Sequence, residues 1–188
     1  MEEYSKGEKE FLLKLARRSI EYYFDTGDKL TISESEISSE NLKRKRAAFV
    51  TLTQNRNLRG CIGGLEPVLS LYEEVIDKSF SSAFRDLRFQ PLSEKELGTT
   101  KIAISILTVP QSLSFNSHPD LLAKINPGKD GIVLKKDGYS ATYLPGVWKE
   151  IKDKEEFLSS LCHKAGLPLN SWKWNAEILT YRTIEFSE

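Results

Sequence analysis

Cysteine, histidine and methionine are scarce in this chain of 188 residues, at two, two and one respectively. Two cysteines, Cys61 and Cys162, supply no disulfide scaffold, and the expected setting is a reducing cytosol. The two histidines, His118 and His163, show no zinc-ligand spacing, so no tightly bound structural metal is expected. No segment approaches the roughly 20 uninterrupted apolar residues of a membrane span, which argues against membrane association. Met1-Glu2-Glu3-Tyr4-Ser5-Lys6 starts acidic and leads into an amphipathic stretch, so it does not read as a secretory signal, and the expected location is the cytoplasm. An excess of either charge is also lacking: 27 basic side chains face 27 acidic ones, so no nucleic-acid partner is expected. The one basic cluster, Lys43-Arg44-Lys45-Arg46, follows the acidic, serine-rich run from Ser33 to Glu40 and reads as a solvated loop feeding a strand. Eleven glycines and seven prolines exclude a collagen-like or low-complexity chain, and 39% hydrophobic residues suffice for a core. A Walker loop, a Rossmann glycine fingerprint and a Gly-x-Ser-x-Gly elbow are all missing.

The apolar residues that are present recur with clear periods. Phe11, Leu12, Leu15, Ala16, Ser19 and Tyr23 mark one face of a helix over Glu8–Phe24. Ala47–Leu52 and Leu58–Leu65 read as a hairpin around Gln54-Asn55-Arg56-Asn57. A second amphipathic helix follows, with Pro67 in its first turn. Lys101–Thr108 alternates Ile102, Ile104 and Ile106 against Ala103, Ser105 and Leu107, a strand expected to be covered on both faces. Asp137-Gly138 predicts a tight hairpin between Ile132–Lys136 and Tyr139–Leu144. A third helix, Lys154–Ala165, stops at Gly166 with Pro168 beyond, and Ile178–Phe186 reads as a last strand. Hairpins mixed with helices, without regular βαβ alternation, give an α+β fold with mostly antiparallel sheets flanked by helices.

Leu58-Arg59-Gly60-Cys61-Ile62-Gly63-Gly64 is the stretch whose composition a pure packing account explains least, because three glycines sit in what should be a strand. Something is expected to approach that backbone closely, either a ligand or the opposite lobe, or the chain to bend there. Alternation puts Arg59 and Cys61 on one face, opposite Leu58, Gly60 and Ile62, and a guanidinium beside a thiol favours the nucleophilic thiolate. The competing reading is a packed cysteine with Arg59 in a structural ion pair. Asp86-Leu87-Arg88-Phe89 follows the second helix and either presents Asp86 and Arg88 to a cleft or forms end-of-helix interactions over a core Phe89. Cys162 falls in the apolar stripe Phe157, Leu158, Leu161, Cys162, Ala165 and is expected in the core. Tyr139, Tyr143 and Trp148 serve packing or an aromatic ligand wall, and Gly128-Lys129-Asp130-Gly131 reads as a turn before a strand.

Leu58-Arg59-Gly60-Cys61-Ile62-Gly63 resembles the signature of the AMMECR family. The resemblance continues in Ala47–Leu52, Asp86–Leu92 with Glu96-Leu97, Ile104–Thr108, Gly128–Ile132, Ala141–Pro145 and Leu161–Leu167. Leu87 stands where many members have proline, and Gly146 where glutamine or glutamate usually follows the Leu-Pro pair. The resemblance implies a single two-lobed α+β domain over residues 1–188 without a long linker, with the glycine-cysteine motif near the groove between lobes. It also implies AmmeMemoRadiSam system protein A, accompanied by a Memo-type protein resembling extradiol dioxygenases and by a radical-SAM protein. It supplies neither a reaction nor a cofactor.

Two functions therefore stand side by side. In the first, a small ligand or a partner protein binds in a cleft near Leu58–Gly64, with Arg59, Gly60, Gly63, Asp86 and Arg88 in contact with it. In the second, the chain is an enzyme or a catalytic subunit with Cys61 as nucleophile. The second lacks a base near Cys61 in sequence, which tilts the reading toward binding.

Overall fold

The computed structural model describes residues 4–188; Met1-Glu2-Glu3 of the acidic opening lie outside them. In chain order the elements are α1 (Lys6–Thr26), α2 (Glu40–Lys43), β1 (Ala48–Gln54), β2 (Asn57–Gly63), α3 (Leu71–Phe84), α4 (Glu94–Leu97), β3 (Thr100–Leu107), β4 (Gln111–Ser112), α5 (His118–Lys124), β5 (Gly131–Lys136), β6 (Tyr139–Tyr143), α6 (Lys154–Lys164), β7 (Glu177–Tyr181) and β8 (Thr183–Ser187). The strands form two four-stranded sheets, ordered β2-β1-β3-β8 and β4-β7-β5-β6, and the architecture is α+β. The chain divides into two compact units, Met1–Ile106 with Ile184–Glu188 and Leu107–Thr183.

In the first unit, α1 runs from a Ser5–Glu8 capping box to Gly27, whose positive φ of 76° ends it. Its buried stripe of Leu12, Leu15, Ala16 and Ile20 packs in one core with Val75 and Ile76 of α3 and with the inward side chains Ala48, Val50, Leu52, Ile102, Ile104 and Ile106. Each valine, leucine or isoleucine among them stabilises the fold by about 1.5–3 kcal/mol relative to exposure. α3 starts at Leu71, four residues after the expected Pro67, because Ser70 and Glu73 form a capping box in which the Glu73 carboxylate accepts from Ser70 N–H at 3.1 Å. That reciprocal cap outcompetes proline as a start signal. The alternating strand β3 is also only partly as expected: Ile102, Ile104 and Ile106 are buried, while Ala103 and Ser105 on the other face are half-buried. Of the basic cluster, Lys43 closes α2, and Arg44–Arg46 continue as a segment pinned to the start of α3, with Leu71 N–H donating to Arg44 O at 3.0 Å and Arg46 N–H donating to Leu69 O at 3.3 Å.

In the second unit, β5 and β6 pair through the Asp137-Gly138 turn, both residues at positive φ (50° and 82°), as the sequence predicts. α6 ends at Lys164, and Gly166 follows at φ 79°. Its buried face of Phe157, Leu158, Leu161 and Cys162 joins Ile132, Leu134, Trp148, Trp172 and Ile178. Trp148 stacks on Phe157 at 3.6 Å between centroids and donates its indole N–H to Asp130 O at 2.7 Å. Of the three aromatics considered for a ligand wall, Trp148 is buried, Tyr143 bonds Ser160 at 2.9 Å, and Tyr139 is exposed. Gly128 adopts φ 79° in the turn that precedes β5.

Candidate functional site

The glycine-cysteine segment is β2, the outermost strand of the first unit's sheet. Its alternation is broken: Thr53 pairs with Leu58 and Leu52 pairs with Gly60, so Arg59 is the extra residue of a bulge. The bulge turns Leu58 outward, 44% exposed, while Gly60 faces the core. This departs from the simple period-2 reading, in which Leu58 and Gly60 share a face.

Gly60 and Gly63 are both closely approached, and by the chain itself. A Cβ on Gly60 would stand 2.1 Å from the backbone oxygen of Ser82, because the last turn of α3 lies directly on β2. The Ser82 hydroxyl completes that junction, accepting from Ile62 N–H at 2.8 Å and donating to Val50 O at 2.7 Å. A Cβ on Gly63 would stand 2.2 Å from the ring of Phe49, its partner on β1. Intramolecular packing therefore accounts for the absence of side chains at both positions.

Asp86 and Arg88 converge on Cys61 from the loop after α3. The Asp86 carboxylate accepts from Cys61 N–H at 2.8 Å, and Arg88 Nη2 donates to Cys61 O at 3.1 Å. The two side chains also bond each other, with Arg88 Nε and Nη2 donating to the two carboxylate oxygens at 2.9 and 2.7 Å. Asp86 is almost fully buried, and the Arg88 guanidinium holds its carboxyl far below the usual carboxylate range, with help from the Cys61 amide. The thiol itself is half-buried, and among the described residues its hydrogen-bonding contact is Thr51 Oγ1 at 3.3 Å, directly across the ladder.

Arg59 does not lie free beside the thiol. Its guanidinium grips Glu96 through Nε at 2.8 Å and Nη2 at 3.1 Å, and donates to the carbonyls of Gln90 at 2.9 Å and Pro91 at 3.4 Å. This bidentate pair, with the Ser93 backbone amide, lowers the Glu96 carboxyl to about 2. Phe89 lies near both cations, with Arg59 at 6.0 Å and Arg88 at 5.5 Å from its ring centre. The structure thus assembles Arg59, Gly60, Cys61, Gly63, Asp86 and Arg88 within the first unit and adds Thr51, Ser82 and Glu96. Of these three, only Glu96 had a local signal, its spacing from Ser93 in a capping box. Both histidines belong to the second unit, where His118 bonds the Lys173 carbonyl at 2.8 Å. Among the described residues no group of three or more His, Cys, Asp or Glu side chains is placed to hold a metal ion.

The residues of this clip fall inside a stretch that matches a known family. The family profile AMMECR1 covers residues 13–186. The chain belongs to the AMMECR1 family. Protein MK0488 of Methanopyrus kandleri is 37% identical over 190 residues, covering 96% of this chain and 88% of that protein. Protein NEQ441 of Nanoarchaeum equitans is 39% identical over 163 residues, covering 86% of this chain and 89% of its own. Among solved structures, the crystal structure of the uncharacterized protein PH0010 from Pyrococcus horikoshii superposes with a TM-score of 0.86 at 34% identity, covering 99% of this chain and 94% of that one. The AMMECR1 match crosses both compact units, so the family's sequence pattern includes the two sheets together.

Proposed function

We propose that this AMMECR1 chain is a binding module, one domain of two lobes, that offers the Cys61 face of β2 to a small ligand or a partner protein. The observation that carries the reading is the state of the polar groups around the thiol. Asp86 and Arg88 neutralise each other and take both backbone groups of Cys61, while Arg59 and Glu96 neutralise each other beside them. These four side chains are committed to holding the strand, which leaves a rigid, electrically balanced surface with a half-buried thiol at its centre. The ligand contact expected of Arg59 is less well supported, since its donors already serve Glu96 and two carbonyls. For Asp86 and Arg88 the support is for positioning the strand rather than for touching a ligand.

The catalytic alternative, with Cys61 as nucleophile, has one observation in its favour: the thiol is accessible enough to react and a hydroxyl stands 3.3 Å away. Thr51 is a weak base, however, and activation of a thiol needs a stronger one or a cation beside the sulfur. Alkylation of Cys61 followed against pH separates the two. Binding predicts slow alkylation at acidic and neutral pH, and protection by a Memo-type or radical-SAM protein or by a copurified ligand. Fast alkylation at acidic pH, with turnover lost on modification, would favour the enzyme.

A further inference from the structure

Lys164, in the last turn of α6, is a cation with no acid beside it: no carboxylate of the described residues pairs with it. A surface lysine ordinarily keeps its charged end in water. This one is drawn back onto the sheet of the second unit, where its ammonium donates to Thr142 O at 2.9 Å and lies 4.8 Å from the centre of the Tyr143 ring. Partial burial there pushes the ammonium below the ordinary lysine range, and no neighbouring negative charge opposes the shift.

Tyr143, at the end of the outermost strand β6, is held from several sides. Its ring meets Phe157 edge-on at 5.2 Å between centres, Lys164 stands against its face, and its hydroxyl bonds Ser160 Oγ at 2.9 Å. Ser160 and Lys164 are one turn apart on the same side of α6. The ammonium has three N–H donors, of which Thr142 O takes one, while the Tyr143 and Ser160 hydroxyls have two protons between them and their mutual bond uses one. Among the described residues these are the hydrogen bonds that the three side chains make. The cluster therefore keeps spare N–H and O–H donors and a positive charge, with no negative charge to receive them.

We infer that Lys164, Tyr143 and Ser160 bind the oxyanion of a small molecule, a carboxylate or a phosphate group, which accepts from the ammonium and from the spare hydroxyl. Such a ligand supplies the charge and the acceptors that the cluster lacks. The donors are already held in place by Thr142 O, Phe157 and each other, so little ordering accompanies binding. Partial desolvation also leaves the attraction less screened than at a lysine surrounded by water. The site lies in the second unit, and it stands or falls without regard to the role of the Cys61 thiol.

Titration of the whole chain with inorganic phosphate at constant ionic strength, followed by the backbone amide resonances, tests it. Saturable shifts are expected at Lys164, Thr142, Tyr143 and Ser160, and none when chloride takes the place of phosphate. Lys164→Gln abolishes them and Ser160→Ala weakens binding severalfold, whereas Lys129→Gln, at an exposed position in the turn before β5, leaves it unchanged; circular dichroism verifies that the variants are folded. Acetate in place of phosphate separates the two sources: tighter binding of phosphate assigns a phosphate ester, and tighter binding of acetate assigns a carboxylate. A second measurement needs no variant: acylation of the wild-type Lys164 amine by an N-hydroxysuccinimide ester, read by mass spectrometry of its peptide, is slowed severalfold by the anion that binds and not by chloride. Shifts that chloride reproduces, shifts that survive Lys164→Gln, or a Lys164 acylated at the same rate with and without both oxyanions would overturn the proposal.

Discussion

Cys162 sits in a helix among buried apolar neighbours, and its own exposure is 0%; Cys61 sits on an outermost strand, half-buried, with ionised side chains gripping its backbone. Burial pushes the Cys162 thiol up, out of reach of ordinary thiolate chemistry. The surroundings of Cys61 include no apolar stripe that would demand a sulfur, and the local architecture is spent on the strand's shape. The lesson is that one residue type is held by side-chain packing in one unit and by backbone hydrogen bonding in the other, and substitutions in the two places should fail differently.

The largest effect is expected where the backbone has no room. Gly60→Ala forces a Cβ into the Ser82 carbonyl, 2.1 Å away, and should cost about 3 kcal/mol in urea unfolding. Gly7→Ala in α1, where nothing stands within 4 Å, should gain up to about 1 kcal/mol in the same assay. Equal costs at both sites would mean that α3 does not press on β2 in solution. Asp86→Asn comes next, at about 2 kcal/mol, because a buried charged acceptor of Cys61 N–H is lost. It should also speed alkylation of Cys61 by freeing the strand; an unchanged rate would show that the clip does not control the thiol. Cys162→Ser should cost about 1–2 kcal/mol by burying a hydroxyl among apolar side chains, a cost that the backbone amides of Trp172 and Ser171 at the sulfur offset in part. Cys61→Ser should stay below about 1 kcal/mol, the hydroxyl still meeting Thr51. If the two cysteine variants melt alike, the contrast between the units collapses.

A change of pH sharpens the comparison from another side. The Glu96 carboxyl lies at about 2 in the folded chain against an ordinary 4.5, so its pairing with Arg59 stabilises fully above the ordinary value. That contribution is lost as pH falls from about 4.5 through about 2, when the folded protein must take up the proton. Burial raises Glu74 instead, and its contribution moves the other way, improving as pH falls through its raised folded value. Arg59→Ala should therefore flatten the acid side of the stability curve measured by thermal unfolding. A curve as steep as that of the wild type would assign acid lability elsewhere.

The α+β class, the three long helices and the Asp137-Gly138 hairpin were legible because their causes are local: a 3.6-residue period, a capping box, two residues at positive φ. The cluster of Arg59, Cys61, Asp86 and Arg88 was legible as a motif, but its internal wiring was not. Asp86 lies 25 positions from Cys61 and Glu96 lies 37 from Arg59, and no short-range rule links them. Period-2 alternation likewise paired Arg59 with the thiol, whereas one inserted residue at the bulge sends the guanidinium to Glu96 and leaves Arg88 at the Cys61 carbonyl. Glycine content announced a close approach without identifying what approaches.

The clip on Cys61 has a consequence for the life of the chain at high concentration. An outermost strand presents outward-facing amide and carbonyl groups, a template on which a strand of another molecule readily adds. At Cys61 both groups are already taken, one by a carboxylate and one by a guanidinium, so an incoming strand finds no donor and no acceptor there and meets the bulk and charge of Arg88. Two side chains from a loop thus act as a terminus for the sheet, protecting the strand against the ribbon-on-ribbon growth that leads to fibrils.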